Sequence, residues 1–99
     1  MGEINIKIKD HVGKITFHHP KGNCLSQEIR NKLITLLEKA DKDPKIAVIL
    51  IQSEGGKAFC SGANLQALKK ISTINEGISF FMDFSNLINA IRKLSKFVI

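Results

Sequence analysis

Ser61-Gly62-Ala63-Asn64 is the segment of this sequence best suited to chemistry. If a helix begins just after Gly62, its first backbone N–H groups lack intrahelical acceptors and carry partial positive charge. They can then stabilise an anion or a developing oxyanion. The small side chains at Ser61, Gly62 and Ala63 would let a ligand approach the backbone closely. An ordinary tight turn has the same layout, and these residues alone leave both readings open. Glu54 and Glu76 are the nearest carboxylates by position that could serve as a general base, and both read as surface groups. Cys24 and Cys60 lie in different segments without a C-x-x-C spacing or a Cys/His cluster, which reads as two reduced, buried or half-buried thiols. His18 and His19 are adjacent and would face opposite sides of a strand, while His11 stands apart, so no metal site is expected.

An α/β framework is expected to position these groups. Ile4, Ile6 and Ile8 alternate with Asn5, Lys7 and Lys9, and a second run, KITFH, follows Gly13, which together predict a β-hairpin. Ser26 followed by Glu28 has the chemistry of a helix N-cap and an acidic first turn. Ile29, Leu33, Leu36, Leu37 and Ala40 then fall on one helical stripe, with Arg30, Lys32, Glu38 and Lys39 assigned to the opposite, solvated face. Pro44 ends that helix, and IAVILIQ from Ile46 to Gln52 has the pattern of a parallel strand covered on both faces, completing a βαβ unit. Gly55 and Gly56 mark a turn, and a short helix is expected from near Asn64. A longer one, from about Ile74 to Ser95, would bury Ile78, Phe81, Met82, Ser85, Ile88 and Ile91 against a sheet. Lys96 to Ile99 read as the opening of a further buried strand, so the chain is expected to end in mid-element.

Ninety-nine residues with 43% hydrophobic content suffice for one small domain of marginal stability. The formal charge of +6 favours polyanions, and a phosphate-bearing small molecule qualifies as readily as a nucleic acid. The lysines are dispersed and there is no Tyr or Trp, which argues against a base-stacking nucleic-acid platform. No run approaches the roughly 20 apolar residues of a spanning helix, and the N-terminus lacks the layout of a secretory signal. A soluble, cytoplasmic protein without membrane partners is expected.

Two separated segments together resemble the enoyl-CoA hydratase/isomerase (crotonase) superfamily. His19-Pro20-Lys21-Gly22-Asn23-Cys24-Leu25-Ser26 resembles that family's "P…N-A-L-S" segment, with Cys24 in place of the usual alanine. Lys57-Ala58-Phe59-Cys60-Ser61-Gly62-Ala63-Asn64-Leu65 resembles its "K-A-F-C-A-G-A-D-L" segment. The likeness spans nearly the whole chain, and the helix from Phe80 to Lys93 looks most like bacterial methylglutaconyl-CoA hydratase-type members. It implies an α/β fold, the ClpP-like spiral of ββα units, of which residues 1–99 would be a truncated N-terminal part. It also implies a homo-oligomer, a trimer or a dimer of trimers.

By the same resemblance, the backbone N–H of Ala63 would be one of two donors to the thioester oxygen of an acyl-CoA substrate. Cys24, Leu25, Cys60, Gly62, Ala63, Asn64 and Leu65 would line the coenzyme A path, with no cofactor required. The full protein would add water to an α,β-unsaturated acyl-CoA; the alternative is a non-catalytic CoA-binding or assembly module. Two departures stand out. Asn64 replaces the usual Asp, losing a charge but keeping a capping side chain. The second donor and the acid-base glutamates would lie beyond Ile99.

Overall fold

Asp10 and His11 both adopt left-handed φ angles, 52° and 66°, the two-residue reversal whose twist matches that of paired strands. In the computed structural model, which describes residues 2–99, this turn joins strands β1 (Glu3–Lys9) and β2 (Val12–His18) into the expected hairpin. Helix α1 (Gln27–Lys42) then returns the chain so that β3 (Val48–Ser53) lies parallel to β2. A short helix α2 (Leu65–Lys69) and a long helix α3 (Ile74–Arg92) lead to β4 (Phe97–Val98), parallel to β3. The sheet order is β1-β2-β3-β4.

Register decides which side chains meet. Ile6 lies opposite Ile15, and Ile15 in turn opposite Ile51, so these three share the face that α1 covers. Ile15, Leu33, Leu37, Ala40, Ile46, Ile49 and Leu87 form the buried core. Ser26 caps α1 by accepting the Ile29 N–H at 3.3 Å, as its residue type predicts, and the helix ends at Lys42 ahead of Pro44. Among the described residues, no helix is long and apolar enough to cross a membrane.

Three burial expectations are corrected. β3 is covered on one face only: Ile49 is fully buried, whereas Val48, Leu50 and Gln52, on the other face, are half-exposed. An apolar run reports what a strand would bury, and among the described residues no layer lies over that second face. On α3, Ile78, Phe81, Met82 and Ile88 are exposed. The helix instead packs against α1, with Leu87 in the core and Ile91 against it. α3 is apolar on more than one side, so its 3.6-residue period does not reveal which side is inward. At the chain's end β4 forms, yet Phe97 and Ile99 are exposed.

Candidate functional site

Asn23 ties together the two loops that carry the motifs. It is 1% exposed and holds a left-handed φ of 56°, a conformation Asn tolerates better than most residues. Its Oδ1 accepts the His19 N–H at 2.8 Å, while its Nδ2 donates to the carbonyl oxygens of Glu54 (3.3 Å), Gly55 (3.0 Å) and Ala58 (3.0 Å). A primary amide alone among small side chains offers both a strong acceptor and two donors for such a junction. Backbone bonds from Ser61 N–H to the Gly22 oxygen (3.1 Å) and from Leu25 N–H to the Gly62 oxygen (2.8 Å) lay one loop along the other.

Between them opens a cleft of about 320 Å³ lined by Lys21, Cys24, Ser61, Ala63, Asn64, Leu65 and Gln66. Four residues expected along a ligand path, Cys24, Ala63, Asn64 and Leu65, therefore meet in one cavity. Leu25, Cys60 and Gly62 do not line it. Leu25 packs partly against the core, and Cys60 accepts the Gly62 N–H at its sulfur, 3.4 Å away. Gly62 has φ 106°, with no atom within 4 Å of where a Cβ would stand, so its glycine meets a backbone requirement and not a crowded contact.

The peptide between Gly62 and Ala63 is the central feature. Its carbonyl is held by the Leu25 N–H, and in a trans peptide the N–H lies on the opposite edge. Among the described residues, Ala63 N–H has no protein acceptor. The amides of the following helix are less available: Asn64 Oδ1 accepts from Gln66 N–H at 2.9 Å and from Ala67 N–H at 3.4 Å. A five-residue α2 whose Gln66 and Ala67 amides are capped adds little dipole, so anion stabilisation here draws on the uncapped amides before them, Ala63 among these.

Among the described residues, Lys21 is the one charged side chain lining the cleft. Neither Glu54 nor Glu76 lines it; both are exposed, and Glu76 sits in the first turn of α3 behind the N-cap Thr73, its pKa lowered by hydrogen bonds from Thr73 and Ser72. Cys24 is buried and Cys60 half-buried, both as free thiols. Burial pushes the Cys24 thiol pKa up, and Cys60 adds to that. Its sulfur lies 3.4 Å from Nδ1 of His19, which also accepts the Lys21 N–H at 3.0 Å. That bond makes Nδ1 an acceptor, and burial lowers the His19 pKa, as do the nearby His18 and Lys21. The pair is therefore held neutral, unlike an activated thiolate.

Arg30 overturns its assignment to the solvated face of α1. It is 3% exposed, its Nη1 donates to the Leu25 oxygen at 2.5 Å, and its guanidinium stacks over Phe84 at 4.1 Å and Phe80 at 5.7 Å. The spacing contained a signal: Arg30 precedes Leu33 by three residues and Leu37 by seven, positions on the buried stripe. Lys21 and Gln66 were also missed as cleft residues, whereas Ser61, expected to let a ligand approach, does line the cleft. Nothing in periodicity marks Lys21 or Gln66, because the cleft arises where two loops cross.

Comparison with known proteins agrees with this framework. Residues 7–99 match the profile of the family described as enoyl-CoA hydratase/isomerase. Over 97 residues the chain is 32% identical to the mitochondrial 3-hydroxyisobutyryl-CoA hydrolase of Rattus norvegicus, covering 95% of this chain and 25% of that protein. It is 33% identical over 64 residues to a probable enoyl-CoA hydratase of Mycobacterium tuberculosis, covering 64% of this chain and 25% of that one. The enoyl-CoA hydratase structure from Bacillus anthracis superposes with a TM-score of 0.86 at 21% identity, over 96% of this chain and 37% of that one. The Pseudomonas aeruginosa DspI structure gives a TM-score of 0.86 at 21% identity, over 96% and 38%. The chain thus spans about a quarter of the length of the curated relatives it matches.

Proposed function

Because this chain belongs to the enoyl-CoA hydratase/isomerase family, we propose that it binds a coenzyme A thioester in the Lys21–Ala63 cleft and supplies one oxyanion-hole donor, the Ala63 N–H. The observation that supports this most is the Gly62–Ala63 peptide: carbonyl tethered, N–H without a protein acceptor, at the wall of a cleft. When an acyl thioester becomes enolate-like, negative charge grows on its carbonyl oxygen. A fixed amide stabilises that state more than the ground state. Lys21 is placed to attract the phosphates of the coenzyme, consistent with the +6 formal charge. Here the thioester is substrate, and no cofactor enters.

Among the described residues the cleft lining contains no carboxylate, so the acid-base step is assigned to groups outside these 99 residues. In a full-length enzyme containing this chain, the proposed reaction is addition of water to an α,β-unsaturated acyl-CoA. A trimeric or dimer-of-trimers assembly and a cytoplasmic location belong to the same proposal and rest on the family resemblance. The missing carboxylate also favours a second reading, a non-catalytic CoA-binding or assembly module. The test is Ala63→Pro in the full-length enzyme, which deletes the amide hydrogen. Removing one such donor lowers turnover on the order of 10²–10³-fold. Hydration is followed through the loss of the conjugated thioester's ultraviolet absorbance; unchanged kinetics would remove Ala63 from the mechanism. Wild-type enzyme that binds the thioester without turnover would favour the binding module.

A further inference from the structure

Arg30 is an expensive residue to keep where it is. It is 3% exposed and its Nε has no hydrogen-bond partner. Its ion pair with Asp83 is long, 3.8 Å, and that carboxylate is 30% exposed. A buried cation with an unmet donor and a loose counter-ion contributes little to stability, and apolar replacements of such groups are often neutral or stabilising. Its one short contact is the bond from Nη1 to the Leu25 oxygen, 2.5 Å.

Leu25 is the residue that orients the candidate donor. Its N–H holds the Gly62 oxygen at 2.8 Å, which fixes the plane of the Gly62–Ala63 peptide and so the direction of the Ala63 N–H. With Arg30 on its carbonyl and Gly62 on its amide, Leu25 is pinned at both backbone ends. Arg30 is in turn seated by α3, through the faces of Phe84 and Phe80 and through Asp83. We infer that Arg30 is a positioning residue for the oxyanion donor, holding Leu25 so that Leu25 fixes the Gly62–Ala63 peptide, and that it makes the donor's aim depend on the placement of α3. This rests on the oxyanion reading of Ala63 proposed above.

The experiment uses the full-length enzyme containing this chain, labelled with ²H and ¹⁵N, comparing wild type, Arg30→Met and Arg30→Lys. Amide hydrogen exchange is read at Leu25, and the Ala63 amide shift is read on titration with butyryl-CoA. Arg30→Met keeps the volume and the apolar stacking while removing the donor, so the fold is expected to persist. Exchange at Leu25 should rise at least about tenfold, a local opening, while amides of β2 and β3 are unchanged. The Ala63 shift on adding the thioester should shrink or vanish, and Arg30→Lys should restore part of both, since a lysine can still reach a carbonyl. If Arg30→Met loosens all core amides equally, Arg30 is merely structural and the inference is overturned. It is overturned equally if Leu25 exchange and the Ala63 response match wild type. If the wild-type Ala63 amide ignores butyryl-CoA, the oxyanion reading itself fails. The Leu25 exchange then separately reports whether Arg30 holds this backbone.

Discussion

Asn23→Asp isolates the junction on which the cleft is built. The substitution is nearly isosteric, aspartate also tolerates the left-handed φ of 56°, and the acceptor to the His19 N–H is retained. Only the Nδ2 donor is lost, and it now serves three carbonyl oxygens at 3.0 to 3.3 Å. Two amide hydrogens are removed, at about 1 kcal/mol net each. Placing an acceptor oxygen against other acceptors with no donor costs about 1–3 kcal/mol more. The expected loss is therefore about 3–5 kcal/mol at neutral pH, large against the 5–15 kcal/mol typical of a domain. The sign of the pH dependence follows. A carboxylate facing carbonyls has its folded-state pKa raised above the unfolded value of about 3.9, so between the two the folded variant binds more protons. Relative to wild type, the variant should be most stable below about pH 4, where the protonated carboxyl can donate one bond, and should lose stability as pH rises through the raised pKa. Urea denaturation monitored by circular dichroism at both pH values measures this. A loss under about 1 kcal/mol at neutral pH, or a larger loss in acid, would refute the account of Asn23 as the tie between the loops.

Two further outcomes are expected. Burial lowers the His19 pKa, so the unfolded chain gains protons there before the folded one; this part of stability is present above about pH 6.5 and is lost as pH falls through the folded-state value. His19→Asn should flatten that component below about pH 6.5 in denaturation experiments, and an unaltered slope would show that His19 is not its source. On α3, Leu87→Ala should cost about 2–5 kcal/mol, because Leu87 is in the core, whereas Phe81→Ala should change stability by no more than about 0.5 kcal/mol. Equal effects in the two thermal denaturation curves would mean that α3 presents a different face to α1.

Local order along the chain was legible because its signals are local. Alternation at Ile4, Ile6 and Ile8 gave β1, Ser26 gave the start of α1, Pro44 its end, and Asn64 the cap of α2. In each case propensity, capping chemistry or side-chain period acts within a few residues. The two motif segments likewise identified the loops that form the cleft. The sequence did not reveal which apolar side of α3 would face α1, nor that the second face of β3 would be uncovered. Hydrophobic period measures contrast around an axis, and contrast is silent about which neighbour arrives.

The sequence by itself therefore determined the elements, their order and the two loops that meet at the cleft. Tertiary structure decided the rest. Asn23 became the junction because residues 54–58 fold over it from more than thirty positions away. Arg30 moved from the expected solvated face into the interior because the aromatic side chains of α3 and the Leu25 carbonyl converge there. Burial and hydrogen-bond partnership are properties of pairs brought together by the fold, and their cost or benefit depends on groups distant along the chain.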